Sequence, residues 1–257
     1  MIDQVAKRIA PIALIAMSAG MAGCSYSIDI GSDGVPLSEL DMSGEAPNKL
    51  SLAGPDRIIV TEGDTLDITV EGDTDNELRF EIDGDTLEIS REDDSWRSSD
   101  TATVRVTMPA PQELSMAGSG VIESATLAGT GEIDIAGSGD VAVALVRADS
   151  LQVSIAGSGT AKAIGSADTL EVSIAGSGDV NFSELKAARV EVSIAGSGDV
   201  QVQSDGDVEA SIAGSGDVEV TGNASCKLNS MGSGTLTCAP SSSDAAETEA
   251  AAETEDS

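Results

Sequence analysis

Four aspartates, Asp140, Asp179, Asp199 and Asp217, each follow a Gly-Ser-Gly triplet, and two cysteines, Cys226 and Cys238, close the same stretch of sequence. If successive triplets stack as neighbouring strands do, the carboxylates form a column with a spacing of about 5 Å. Like charges that close repel, and a hard cation such as Ca²⁺ would relieve them through oxygen ligands. The plainer alternative is a set of solvated Asp side chains accepting turn N–H bonds, and Thr160 interrupts the column. For the cysteines the expectation is a disulfide pinning the last repeat, worth about 3 kcal/mol for so short a loop. Two reduced thiols used as small apolar fillers are the other reading. The chain has no His and no Cys-x-x-Cys spacing, so a zinc site is not expected.

Catalysis finds little support in the composition. Polysaccharide cleavage would call for clustered acids beside aromatic sugar platforms, and the chain holds one Trp, one Tyr and two Phe. The expected reading is non-enzymatic, with no cofactor beyond the Ca²⁺ considered above. A Ca²⁺-dependent glycan-binding or glycan-processing β-helix is the alternative. The net charge of −32 repels phosphates and disfavours nucleic acid as a partner.

The elements that must position these residues follow from a repeat. An Ala-Gly-Ser-Gly core starts at Ala117, Ala136, Ala156, Ala175, Ala195 and Ala213, with Met-Gly-Ser-Gly at Met231, in steps of 19, 20, 19, 20, 18 and 18 residues. So constant a step in a chain rich in Val, Ile, Gly and Ser marks a stacked solenoid, each repeat one coil. Before each corner, apolar and polar residues alternate, as in Leu151, Val153, Ile155 and Val190, Val192, Ile194. That is the period of a half-buried strand, so these side chains point inward while Ser154, Ser173, Ser193 and Ser211 point out. A second short strand follows each Gly-Ser-Gly, with Val141, Val180, Val200 and Val218 facing inward. The fold class is all-β: a single-stranded parallel β-helix, or β-solenoid, of roughly 19-residue coils with an N-terminal β capping region. In this alignment Cys226 falls on the column of Leu170 and Val208, and Cys238 on that of Val220, so both cysteines should point inward. The outward serines form a repetitive hydroxyl surface that could meet a glycan or another β-edge.

Ahead of the repeat, Lys7 and Arg8 precede an apolar stretch from Ile9 to Met21 that is too short to span a bilayer and has the form of a signal-peptide core. It ends in Met21-Ala-Gly-Cys24, which resembles the lipobox of bacterial lipoproteins with Met21 where Leu is usual. The resemblance implies that Cys24 is lipidated and becomes the mature N-terminus. Ser25, rather than Asp, follows it, which implies the outer membrane and a periplasmic or surface-exposed face. The expected organisation is a lipoprotein signal peptide over 1–23, a tether over 24–49 and an N-terminal β region over 50–112 continuous with the solenoid. The repeat solenoid covers 113–239, and a disordered acidic tail covers 240–257.

A strand segment ending in Asp83-Gly-Asp-Thr-Leu-Glu-Ile89, a strand running into Pro109, then Glu113-Leu-Ser-Met-Ala-Gly-Ser-Gly120 and the repeated Val-Ser-Ile-Ala-Gly-Ser-Gly-Asp together resemble the GIN-type head domain of autotransporter adhesins. The likeness covers roughly Leu50 to Cys238 and rests on glycines and inward aliphatics. It implies a β-solenoid in the cell envelope, serving as an adhesion, surface-binding or structural module. It brings no catalytic residues, and the chain lacks the β-barrel translocator of a true autotransporter. A glycan or an envelope or surface protein is the expected partner, besides the membrane reached through the lipid anchor.

Overall fold

The computed structural model describes residues 34–72, 77–92 and 101–240; the signal peptide, Cys24 and residues 241–257 of the acidic tail lie outside them. After a 3₁₀ turn at Leu37–Glu39, six strands build the N-terminal end: β1 (Lys49–Gly54), β2 (Arg57–Glu62), β3 (Asp67–Glu71), β4 (Leu78–Asp83), β5 (Thr86–Arg91) and β6 (Thr103–Met108). Next come β7 (Glu113–Gly118), β8 (Val121–Ser124) and β9 (Leu127–Gly137). The long strands β10 (Asp140–Gly157), β11 (Thr160–Gly176), β12 (Asp179–Gly196) and β13 (Val200–Gly214) follow, and β14 (Asp217–Thr221), β15 (Ser225–Gly232) and β16 (Thr235–Ala239) end the rod. All sixteen strands belong to one sheet.

From β7 onward the sheet is a parallel β-solenoid, as the repeat requires. In β12 the inward alternation breaks twice, after Phe182 and after Ala187, so a long strand contributes to more than one face. Val153, Val172, Val192 and Ala210 stack in register on the first face, and Val141, Ala161, Val180, Val200 and Val218 on the second. All of them are at most 1 % exposed. Burying each of these valines contributes roughly 1.5–3 kcal/mol, which is what holds a glycine-rich backbone in place. The corners require glycine for a steric reason. Gly196 sits at φ +143°, and a Cβ there would overlap the carbonyl oxygen of Gly176 in the coil below. Only glycine lets two such corners stack.

The N-terminal region joins the same sheet, but not in chain order. On the first face the strands run β4, β5, β1, β7, β9; on the second they run β3, β6, β2, β8, β10. The coil made by β1 and β2 is therefore sandwiched between the coil of β5 and β6 and the coil of β7 and β8. The cause lies in β3 and β4, which pair antiparallel with β6 and β5 and close the end of the rod. Having gone out to make that closure, the chain must return past its own first coil. Regular winding begins only with β7.

Two devices fasten this end. Asp56 and Arg91 are buried at 1 % and 3 % side-chain exposure. The guanidinium donates to both Asp56 carboxylate oxygens, at 2.7 and 2.6 Å, and also to Glu77 at 2.6 Å. The N–H of Ala102 adds a bond to Asp56 Oδ1 at 2.8 Å. The second device uses part of the stretch expected to be a tether: Val35 exchanges two backbone bonds with Phe80, at 2.9 and 2.8 Å, and Leu37 and Leu40 pack on the core. Residues 34–40 are thus built onto the cap.

Candidate functional site

The outward side of the first face carries three columns set by strand register. One runs Lys49, Glu113, Glu132, Gln152, Glu171, Glu191, Glu209, Lys227. The next, two residues along, runs Ser51, Ser115, Asp134, Ser154, Ser173, Ser193, Ser211, Asn229, and a third is alanine from Ala53 to Ala213 with Met231 at its end. The side chains in each column repeat at about 4.8 Å. Lysines close the acid column at both ends: Lys49 Nζ lies 3.5 Å from Glu113, and Lys227 Nζ 2.7 Å from Glu209. The serine column follows the sequence expectation. The glutamate column beside it has its signal in the repeated Glu-Val-Ser, a pattern masked by the abundance of acids throughout the chain.

The two columns change character along the rod. Ser193 and Ser211 are exposed, whereas Ser115 and Asp134, in the same column, are buried at 7 % and 3 %. Burial pushes the Asp134 carboxyl up to about 7, and the neighbouring Glu132 and Glu113 charges act in the same direction, opposed by a hydrogen bond from Ser154. Asp134 Oδ2 has no hydrogen-bond partner. A carboxyl so placed favours its protonated form, since charge without compensation in a low-dielectric site is costly.

On the second face, Asp140, Asp179, Asp199 and Asp217 are all exposed at the corners. Three of them are engaged by the coil that follows. Asp179 Oδ1 accepts the N–H of Asp199 at 3.2 Å, Asp199 Oδ1 accepts the N–H of Asp217 at 3.1 Å, and Asp217 Oδ1 accepts both the N–H and the hydroxyl of Thr235, at 3.1 and 2.6 Å. At the earlier corners the same N–H reaches a carbonyl, as Asp140 does to Gly120 and Asp179 to Gly159, both at 3.0 Å. The Asp column thus carries a relay of side-chain-to-backbone bonds between coils. Among the described residues no group of three His, Cys, Asp or Glu is set to hold a metal ion.

Cys226 and Cys238 form the expected disulfide. Their register is also as expected, Cys226 on Val208 and Cys238 on Val220. Their burial differs: both are exposed, as are all eight residues of β15, because among the described residues no further coil stacks on the last one. The bond spans the open end of the core like a covalent lid over Val208 and Val220.

Among the described residues no helix is long and apolar enough to cross a membrane. Residues 46–224 match the family described as "Putative auto-transporter adhesin, head GIN domain". No curated protein sequence gives a significant match. Solved structures with the same fold include a putative adhesin from Bacteroides fragilis, 22 % identical, covering 75 % of this chain and 92 % of that one at a TM-score of 0.68. A putative adhesin from Parabacteroides merdae is 18 % identical over 76 % and 92 % of the two chains, with a TM-score of 0.58. A protein described as putative lipid binding, from Parabacteroides distasonis, is 21 % identical over 76 % and 93 %, with a TM-score of 0.54.

Proposed function

The chain belongs to the auto-transporter adhesin head GIN-domain family, and on that basis we propose that it is a non-enzymatic binding module, lipid-anchored at Cys24 to the outer membrane and acting through the outward columns of its first face. The observation that carries this reading is the in-register run of Glu and Ser side chains from Glu113 and Ser115 to Glu209 and Ser211. A flat surface with one repeat every 4.8 Å or so suits a partner whose own groups repeat, such as a glycan rich in hydroxyl or amino groups or the edge of another surface protein. Many weak contacts in register then add up, while no single residue needs to be catalytic. The net charge of −32 favours cationic or neutral partners over anionic ones.

The binding reading is tested on a glycan array and on isolated envelope fractions, with the purified protein compared with a Ser173→Arg, Ser193→Arg, Ser211→Arg variant. These side chains point outward, so the variant keeps its melting temperature and loses binding. Equal binding by the variant, or none by the wild type, sinks the assignment of the face. The anchor is tested separately. Cys24→Ser should abolish lipid labelling and release the protein from membranes, and unchanged membrane association with labelling intact would rule the anchor out.

A further inference from the structure

We propose that a groove on the flank of the rod, where β10, β11 and β12 leave the second face, binds a neutral pyranose ring of a glycan, at a place separate from the columns of the first face. The groove follows from a one-residue deficit in β11. Along the ladder with β10, Ile164 stands alone opposite Ala144 and Leu145. Along the ladder with β12, Ala163 stands alone opposite Phe182 and Ser183. The corner of β11 is thus one residue shorter than the corner on either side, and it recedes between them. The depression has a volume of about 420 Å³, within the range of small-molecule sites.

The lining divides as the surface of a sugar does. Ile164, 45 % exposed, makes with Ala142 and Ala144 an apolar patch that suits the C–H face of a ring. Lys162, Asn181 and Glu184 bring hydrogen-bonding groups to the same groove. Lys162 and Asn181 are register partners, one strand spacing of about 4.8 Å apart. Asn181 Oδ1 accepts the Ser183 hydroxyl at 2.9 Å, which leaves the Asn181 amide N–H groups to donate elsewhere. Lys162 forms no ion pair with a described residue, whereas Glu123 at the rim is held by Arg57. The ammonium and the amide donate and the Glu184 carboxylate accepts, which matches ring hydroxyls that do both. Bonds to the two charged groups are the strong ones. Charge selects a neutral ring. Lys162 offsets Glu184 and Arg57 offsets Glu123, so the groove itself is balanced, while the net charge of −32 repels a sugar that carries a carboxylate.

Nitrogen–proton correlation spectra of the purified full chain in detergent read the site, with cellobiose, maltose and lactose as probes. An open groove with an aliphatic platform binds weakly, so a Kd of about 1–10 mM is expected and each probe is taken to about 50 mM. Saturable shifts should be confined to residues 142–144, 162–164 and 181–184, the Asn181 side-chain amide among them. Lys162→Met and Ile164→Ser alter exposed residues and keep the melting curve. The first should raise Kd at least about tenfold by removing a bond to a charged group, and the second about threefold by removing the platform. Digalacturonate should bind at least about tenfold more weakly than the neutral probes. The Ser173→Arg, Ser193→Arg, Ser211→Arg variant should bind the three probes in the groove as the wild type does, so either site can fail without the other. No saturable shift in the groove with any of the three, a Kd unmoved by Lys162→Met, or digalacturonate bound as tightly would each overturn the proposal.

Discussion

The two ends of the rod solve one problem by different means. A stacked solenoid leaves its first and last coils with bare cores, and terminal repeats must be altered to close them. The N-terminal end is closed by dedicated sequence, with four strands out of winding order, the Val35 bridge and the buried Asp56–Arg91 pair. The C-terminal end is closed by one covalent bond across an otherwise ordinary coil. Non-covalent closure thus needs non-repeating sequence, whereas a disulfide lets the repeat simply stop.

The most severe test of this contrast is Arg91→Ala. It strands the Asp56 carboxylate with its N–H bond from Ala102 alone, and removing one partner of a buried pair costs about 3–5 kcal/mol. Chemical denaturation should show that loss, while Arg91→Met together with Asp56→Leu recovers much of it. A loss under about 1 kcal/mol would mean the pair does not hold the cap. Next in size is Cys238→Ser, with an expected cost of about 2–3 kcal/mol that is confined to the last coil. Hydrogen exchange should then quicken over residues 225–239 and leave Val172 and Val192 protected. Faster exchange along the whole rod would show that the ends are not independent.

A smaller effect separates the buried and exposed parts of the serine column. The Asp134 carboxyl is held near 7 in the folded chain against about 3.9 in an unfolded one. Between those values the folded state binds more protons, so stability falls as pH rises from about 4 to about 7 and stays low above. Asp134→Ser restores the column residue and should be more stable than wild type by about 1–3 kcal/mol at pH 8, with the gap closing toward pH 4. A pH-independent gap would refute the assignment. The smallest effect concerns Asp179, Asp199 and Asp217. Since each already accepts an N–H bond, millimolar Ca²⁺ should raise the melting temperature no more than NaCl of equal ionic strength. A saturable excess, erased by Asn at the three positions, would reinstate a cation site.

The regular coils are legible in the sequence because two simple periods coincide in them. Alternation tells Leu151, Val153 and Ile155 from Gln152 and Ser154, and the glycine corners set the coil length. Alternation also places Cys226 and Cys238 on the right faces. It does not show their exposure, which depends on no further described coil stacking on theirs. Nor does it order the N-terminal strands: the pattern in Leu50 and Leu52 says which way β1 faces, but not that Leu87 and Leu114 flank it on either side. The Asp56–Arg91 pair is hidden for the same reason, since nothing local connects residues 35 apart.

The sandwiched first coil also governs the timing of assembly. Within the regular rod each strand waits about one coil length for its neighbour. Lys49 of β1 must wait for Thr86 on one side and Glu113 on the other, 37 and 64 residues later. Closing a loop of 64 residues rather than 19 costs about 1 kcal/mol more in chain entropy, and the partner has yet to be synthesised when β1 emerges. The part of the chain made first is therefore the part that settles last. The rod assembles from its repeats back toward its beginning, and pulsed hydrogen exchange during refolding should protect Val172 and Val192 before Leu50 and Leu52.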